Sequence, residues 1–261
     1  MRCSHALPAA AVLLAAGFHL PAAADAPRFY IRGLIGYDWS RDATFKDENC
    51  ASTNPPAYFG CGPGVGGLSL GARGDFGGSA LYEIGAGVEV LPYLRVEAAI
   101  DHRPGLAFDG NANFRNAGGD QPVSGDVTQS AVMGMAYLEP FTALGADWPV
   151  KPFIGGGVGV SRNEIGGMRY DFPALPQPAY SAMPGGTQYD FTWAATAGFA
   201  FDVTERLSLD IAYRYSDLGD IETDSKTLYI KRPTWDLTIP IAPTKAELIT
   251  QSVNVSARFR F

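Results

Sequence analysis

Histidine is nearly absent from this chain, cysteine is scarce, and past the N-terminus there is no long hydrophobic run. Three His and three Cys occur in 261 residues. His5 and His19 stand close to the start, which leaves His102 alone in the body of the chain. A metal site built from several imidazoles is therefore excluded. Beyond the first residues no stretch reaches the ~20 consecutive apolar positions that a membrane-crossing helix needs. Mean hydropathy is −0.01, far less apolar than a helical membrane protein. Basic charge is also in deficit, with 20 Lys and Arg against 27 Asp and Glu and a net charge of −7. That argues against nucleic-acid binding, which needs a basic surface to neutralise phosphates.

The N-terminus reads as an export leader. Arg2 supplies a short positive region, Ala6 to Phe18 a small apolar stretch, and Ala22-Ala23-Ala24 an Ala-x-Ala cleavage motif. The run is too short for an anchor helix and is interrupted by Pro8 and Pro21. Cleavage is expected between Ala24 and Asp25, giving a leader of residues 1–24 and one mature domain, 25–261. Cys3 precedes the apolar core and so makes no lipoprotein signal. Cys50 and Cys61 remain in a chain destined for an oxidising compartment, and a disulfide is expected between them. Closing so short a loop contributes roughly 2–3 kcal/mol. A metal pair is the alternative, but no His lies nearby.

The C-terminus carries the strongest pattern. Val253, Val255, Ala257, Phe259 and Phe261 alternate with Asn254, Ser256, Arg258 and Arg260. Period two places the two sets on opposite faces of a β-strand. An apolar face ending on a bare aromatic is a liability in water. It suits a strand with lipid outside and a polar lumen inside.

The same alternation recurs along the chain. It predicts strands over 29–40, 79–91, 94–103, 129–138, 152–161, 189–203 and 207–216, and an eighth from about 245 to 261. Strands of about 9–11 residues span a bilayer when tilted. The connections 41–78, 104–128, 162–188 and 217–244 are long, polar and rich in Gly or Pro; 91–93 and 204–206 are tight, and 139–151 is intermediate. Aromatics fall near both ends of the strands, with Phe29, Phe199, Phe201, Phe259 and Phe261 at one rim and Tyr37, Trp39, Phe191, Trp193, Tyr213 and Tyr215 at the other. Two such girdles mark two membrane–water interfaces. The expected fold is all-β: an antiparallel up-and-down transmembrane β-barrel of about eight strands, with long extracellular loops and short periplasmic turns. A ten-stranded barrel is possible if part of 65–75 pairs.

The inward faces carry charge. Arg32, Glu89, Arg95, Glu97, Asp210 and Arg258 are expected toward the periplasmic half, and Asp38, Glu83, Asp101 and Arg214 toward the outer half. A barrel of about eight strands is just wide enough to fill with side chains, and buried charges must pair. The network is expected to seal the lumen; a narrow ion path gated by the same pairs is the alternative. His102 falls on the lipid face near the outer rim, where an interfacial polar residue is the ordinary reading and a lipid-modifying catalytic site the sharper one. The stretch 109–113 lacks the Gly and closing Glu of a calcium loop and reads as a turn-rich surface loop. No catalytic residue, metal or cofactor is expected.

The stretches Tyr30 to Tyr37, Lys151 to Gly159 and Ile211 to Gly219, and the closing Ser256 to Phe261, resemble the opacity-type outer-membrane β-barrel proteins of Gram-negative bacteria, which are related to the transmembrane domain of outer-membrane protein A. The resemblance covers nearly all of the mature chain except the loops. It implies an eight-stranded barrel and a terminal signal, Phe259 and Phe261, read by the barrel-assembly machinery. The expected location is the outer membrane of a Gram-negative bacterium, in contact with its lipid and lipopolysaccharide. The expected role is that of a non-enzymatic surface protein whose long loops reach an extracellular ligand. A small porin-like channel and an outer-membrane lipid-modifying enzyme are the alternatives.

Overall fold

The computed structural model describes residues 27–117, 121–145 and 148–261. The expected leader and its Ala24–Asp25 cleavage point lie outside them. In chain order the strands are β1 (Arg28–Ser40), β2 (Ala43–Asp47), β3 (Gly71–Asp75), β4 (Gly78–Leu91), β5 (Leu94–Asn113), β6 (Pro122–Leu138), β7 (Val150–Ile165), β8 (Met168–Asp171), β9 (Tyr180–Met183), β10 (Gly186–Asp202), β11 (Leu207–Glu222), β12 (Thr227–Lys231), β13 (Asp236–Pro240) and β14 (Thr244–Arg260).

Eight of these close a ring. β1 pairs with β4, then β5, β6, β7, β10, β11 and β14 follow as antiparallel neighbours. β14 returns to β1, from Tyr30 opposite Arg260 to Ser40 opposite Thr250. Closure removes every edge from the membrane-spanning part, as a bilayer without water demands. The outer wall is apolar where lipid touches it: Ile31, Ile35, Ile84, Ile100, Val132, Val158 and Val255 are exposed, while their sequence neighbours turn inward. Inward glycines make room for the larger groups opposite. A Cβ on Gly87 would stand 2.5 Å from the Tyr30 ring, and one on Gly85 would stand 2.5 Å from Glu97 Oε1.

The strands outrun the bilayer at one end. β5 has 20 residues and β6 has 17. The expected third strand stops at Arg103, yet β5 continues to Asn113, and the expected fourth starts at Gln129, yet β6 begins at Pro122. Asp109 to Asn113 is thus strand, paired with β3 and β6, and not a turn-rich loop. The physical reason is a reversal of polarity. A bulge between Arg103 and Leu106 precedes a segment whose buried side is apolar, Leu106 and Phe108, and whose exposed side is polar. Water replaces lipid outside and hydrophobic packing replaces charge inside, so the membrane pattern reverses although the period stays at two.

The four long connections fold together above the membrane. β2 and β3 pair with each other and brace β14 and β5. β8, β9, β12 and β13 extend the sheet outward from β6. β3, the part of 65–75 that pairs, belongs to this head, so the membrane ring stays at eight strands. The head has its own apolar core, centred on Phe45, Phe76, Leu106, Phe108, Ile165, Tyr170, Leu218 and Leu248, all 2 % exposed or less. Phe45 and Phe108 meet edge to face at 5.0 Å. At the opposite, periplasmic end the turns are short; the longest carries a one-turn helix, α1 (Pro140–Ala143), with Phe141 stacked on Trp148 at 4.9 Å.

Candidate functional site

Two features dominate this barrel, a lumen packed with charge and a head packed with hydrocarbon. The lumen is built in layers. Nearest the periplasm, Arg258 bonds Glu89 (3.1 Å) and Asp210 (3.5 Å), Arg95 bonds Glu139 (3.1 Å) and approaches Asp210 (3.8 Å), and Arg260 links Glu89 (2.6 Å) to Asp202 (3.1 Å). Arg95 also lies over the Tyr137 and Phe153 rings, at 4.5 and 4.9 Å. In the middle layer Arg32 engages Glu83, Glu97 (2.5 Å) and the Tyr137 hydroxyl (2.9 Å), and Arg214 donates to Glu83 at 2.6 Å. In the outer layer Arg103 bonds Asp38, Asp101 (2.7 Å) and the Gln129 carbonyl oxygen (2.6 Å).

All nine expected network residues, Arg32, Glu83, Glu89, Arg95, Glu97, Asp101, Asp210, Arg214 and Arg258, therefore take part, together with Asp38. The two expected groups meet in the middle layer. Arg32, expected in the periplasmic half, pairs with Glu83, expected in the outer half, so one chain of charge runs through the middle. The cause is the inclination of strands in a closed barrel, which shifts neighbouring residues along the axis. Sequence reasoning missed Arg103, Gln129 and Glu139. Arg103 is two residues beyond Asp101 on the same face, at the last position of the expected third strand, and that spacing is the signal that finds it. Glu139 stands in a turn and reaches back into the lumen, which alternation cannot foresee.

Ionised groups of this kind, buried alone, would each cost many kcal/mol in lost hydration. Paired, they form a solid polar plug. Directly above, the apolar core of the head covers the mouth.

The head is fastened at one point by covalent chemistry. Cys50 and Cys61 form the expected disulfide. Beside it the Asp47 carboxylate accepts three backbone N–H groups, from Tyr58 (2.8 Å), Phe59 (3.0 Å) and Gly60 (2.8 Å). This clamp turns Tyr58 and Phe59 into the core, against Tyr170 (4.8 Å) and Phe114 (5.2 Å). On the outer sheet, hydrogen bonds from Lys231 and Tyr229 hold the Asp236 carboxyl below its ordinary value. Burial, reinforced by Glu48, Asp220 and Asp224, pushes Glu222 up. Lys245 bonds Asp220 at 3.0 Å, so one of these acidic groups is already paired.

His102 stands exposed on the lipid face, as alternation requires, with Nδ1 2.8 Å from Ser130 Oγ. Among the described residues no carboxylate bonds its ring. Phe259 and Phe261 meet at 5.7 Å on the periplasmic rim, both exposed.

Among curated proteins the chain is similar to uncharacterized proteins of Brucella abortus and Brucella suis, at 25% and 24% identity over 146 residues. The match covers 53% of this chain, and the chain spans about half the length of those relatives, 51%. Among solved structures the outer membrane protease OmpT of Escherichia coli aligns with a TM-score of 0.53 and 6% identity, over 90% of this chain and 97% of that one. At that identity the likeness is one of fold alone. Neisserial surface protein A aligns with a TM-score of 0.42 and 15% identity, over 89% of this chain and 97% of its own. The family profile described as the outer membrane protein beta-barrel domain matches residues 10–261. With that match over nearly its whole length, and a ring of eight antiparallel strands with lipid-facing hydrocarbon, the chain belongs to the outer membrane β-barrel family of Gram-negative bacteria.

Proposed function

We propose that this is a non-enzymatic surface protein of the outer membrane, in which the barrel is the anchor and the folded head is the working part. The observation that carries this reading is the shared core of the four outer connections. Connections that merely closed the barrel would need only short turns. Here they form six short strands that extend the barrel sheet, one disulfide and one hydrophobic interior, which together present a fixed surface to the outside. Binding residues commonly sit on such connections when a rigid scaffold holds them. The natural contacts are lipopolysaccharide around the rim and an extracellular ligand at the head.

The filled lumen supports an anchor over a porin-like channel, because ion pairs occupy the bore and hydrocarbon covers its mouth. The His102–Ser130 pair, with no orienting carboxylate on the ring among the described residues, gives little support to a lipid-modifying enzyme. Phe259 and Phe261, exposed at the end of the closing strand, fit a terminal signal for barrel assembly.

The test is genetic. A deletion strain is complemented either with the whole protein or with a barrel whose 166–185 and 223–243 segments are replaced by short turns. The trimmed barrel is expected to restore envelope integrity but not surface adhesion or recognition by antibodies against intact cells. A trimmed barrel that restores everything would remove the head from the function.

A further inference from the structure

A groove crosses the outward face of the head where β2, β3 and β5 lie side by side. Its volume is about 370 Å³, within the range of small-molecule sites. The floor is the outer face of the three strands. Thr44 stands opposite Arg73, and Arg73 opposite Asn111, so the three side chains form one rung. Gly71 completes the floor. Its φ is +139°, and a Cβ there would lie 2.4 Å from the Phe45 carbonyl oxygen, so only glycine fits.

The wall is a small hairpin, 63–69. Pro63 faces Ser69 across it, and the Gly64 N–H donates to the Leu68 carbonyl at 2.7 Å. The hairpin is fastened on every side. Val65 N–H donates to the Phe114 carbonyl at 3.3 Å, and the Asn113 carboxamide donates to the Leu68 and Ser69 carbonyls at 3.4 Å. Arg115 donates to the carbonyl of Cys61, beside the disulfide. Val65 and Leu68 therefore hold exposed hydrocarbon at the edge of the groove. A wall fixed in advance spares a ligand the entropy cost of ordering a loop.

The groove is also where the head keeps cations outside ion pairs. Elsewhere on the outer surface Arg162, Arg169, Lys226, Lys231 and Lys245 each pair with a nearby carboxylate. Among the described residues, Arg73 and Lys46 pair with none. Arg73 is exposed on the floor. The Lys46 stem runs beside Gly71, 3.4 Å from where a Cβ would stand.

These groups define a ligand. A guanidinium receives a carboxylate through two parallel N–H bonds. The Asn111 carboxamide and the Thr44 and Ser69 hydroxyls both donate and accept, as the hydroxyls of a sugar require. Val65 and Leu68 offer apolar surface to the C–H face of a ring. A peptide matches less well, because β2 and β3 are each paired on both sides and leave no edge for main-chain addition. A long polyanion is disfavoured by the next outward rung, Asp75 opposite Asp109, which would repel it.

We propose, resting on the reading of the head as the working part, that this groove binds one carboxylated sugar residue of a surface glycan. Arg73 holds the carboxylate, and Lys46 adds attraction at longer range. The back of the same floor, Phe45 and Ala72, packs into the shared core, so the site depends on the segments that the trimmed barrel lacks.

The experiment is a saturation-transfer NMR titration of the purified full chain, folded in a detergent without sugar headgroups. The probes are a hexuronate oligosaccharide, a sialylated oligosaccharide, the carboxyl-reduced form of each, an acidic peptide, and core oligosaccharide released from the source bacterium's own lipopolysaccharide. At least one acidic sugar is expected to bind, and its reduced form is not. Arg73→Gln is expected to weaken binding about tenfold or more, the loss of a charge-assisted pair, while heat-modifiable migration stays unchanged. Binding of the released core alone assigns the site to the cell's own envelope; binding of the other acidic sugars assigns it to glycans from outside. A wild type that binds no acidic sugar overturns the proposal, and so does one that binds only the peptide. Equal binding of the reduced forms, or unchanged affinity in Arg73→Gln, overturns it as well. If Arg73→Gln does not fold, the reduced probes still decide on the wild type. Failure here with a trimmed barrel that still loses adhesion removes the groove and leaves the role of the head standing.

Discussion

Glu83 on β4 and Arg214 on β11 bond at 2.6 Å across the lumen, although 131 residues separate them in sequence and two strands, β1 and β14, stand between them on the wall. The same carboxylate holds Arg32 with its other oxygen. One side chain therefore fixes two guanidiniums and ties opposite sides of the barrel together. Glu83→Gln leaves both cations short of a partner in a buried site. Equilibrium unfolding in detergent should show a loss of about 3–5 kcal/mol, the usual consequence of breaking one member of a buried ion pair.

The head should be separable from the barrel in stability. Phe108→Ala removes a ring that packs against both Phe45 (5.0 Å) and Phe76 (5.3 Å). The expected local cost is about 3–5 kcal/mol. Limited proteolysis on whole cells should then cut the 41–78 and 104–128 segments faster than in the wild type. Heat-modifiable migration on gels, which reports the closed barrel, should persist.

Asp47 is the second clamp beside the disulfide. Asp47→Ala frees three backbone N–H groups at once. Leaving such donors without partners costs about 1–3 kcal/mol each where they are buried, and less here, where the site is part-exposed. The expected readout is cleavage within 48–62 by added protease on intact cells. Reduction of Cys50–Cys61 should give the same fragment, and reduction of the Asp47→Ala protein should give it fastest.

The β12–β13 hairpin should respond to acid. Asp236 accepts from Tyr229 (2.8 Å) and Lys231 (3.0 Å), and these bonds hold its carboxyl below the ordinary range. A carboxylate depressed in the folded state contributes above its unfolded pKa, and the contribution is lost as pH falls through the folded value. The pair should thus be intact at neutral pH and open only in strong acid. An NMR titration of the Asp236 carboxyl carbon should place its midpoint below that of an unstructured aspartate, and Lys231→Ala should move it back up.

Much of this barrel is legible in the amino-acid order because lipid enforces a strict code. Val253 to Phe261 and Tyr30 to Trp39 alternate without error, and their structure follows residue by residue. The code fails where its physical cause stops. Beyond Arg103 and before Gln129 water surrounds the strands, so the apolar residues move to the inside and the segment resembles a loop when judged by membrane rules. Leu106 and Phe108 belong to the same strand as Arg95 and Glu97, yet they fill the head and not the ionic lumen. Glu139 was illegible for another reason, since it enters the lumen from a turn. Pairing across the bore, as between Glu83 and Arg214, depends on ring closure and stagger, which no local pattern records.

The central claim is that charge fills the bore and hydrocarbon covers it, so that the barrel anchors a head and conducts nothing. Planar-bilayer recording of the folded, heat-modifiable protein tests this directly. The account predicts a silent bilayer with the wild type at neutral pH, and sustained ion-selective conductance steps from the wild type would contradict it.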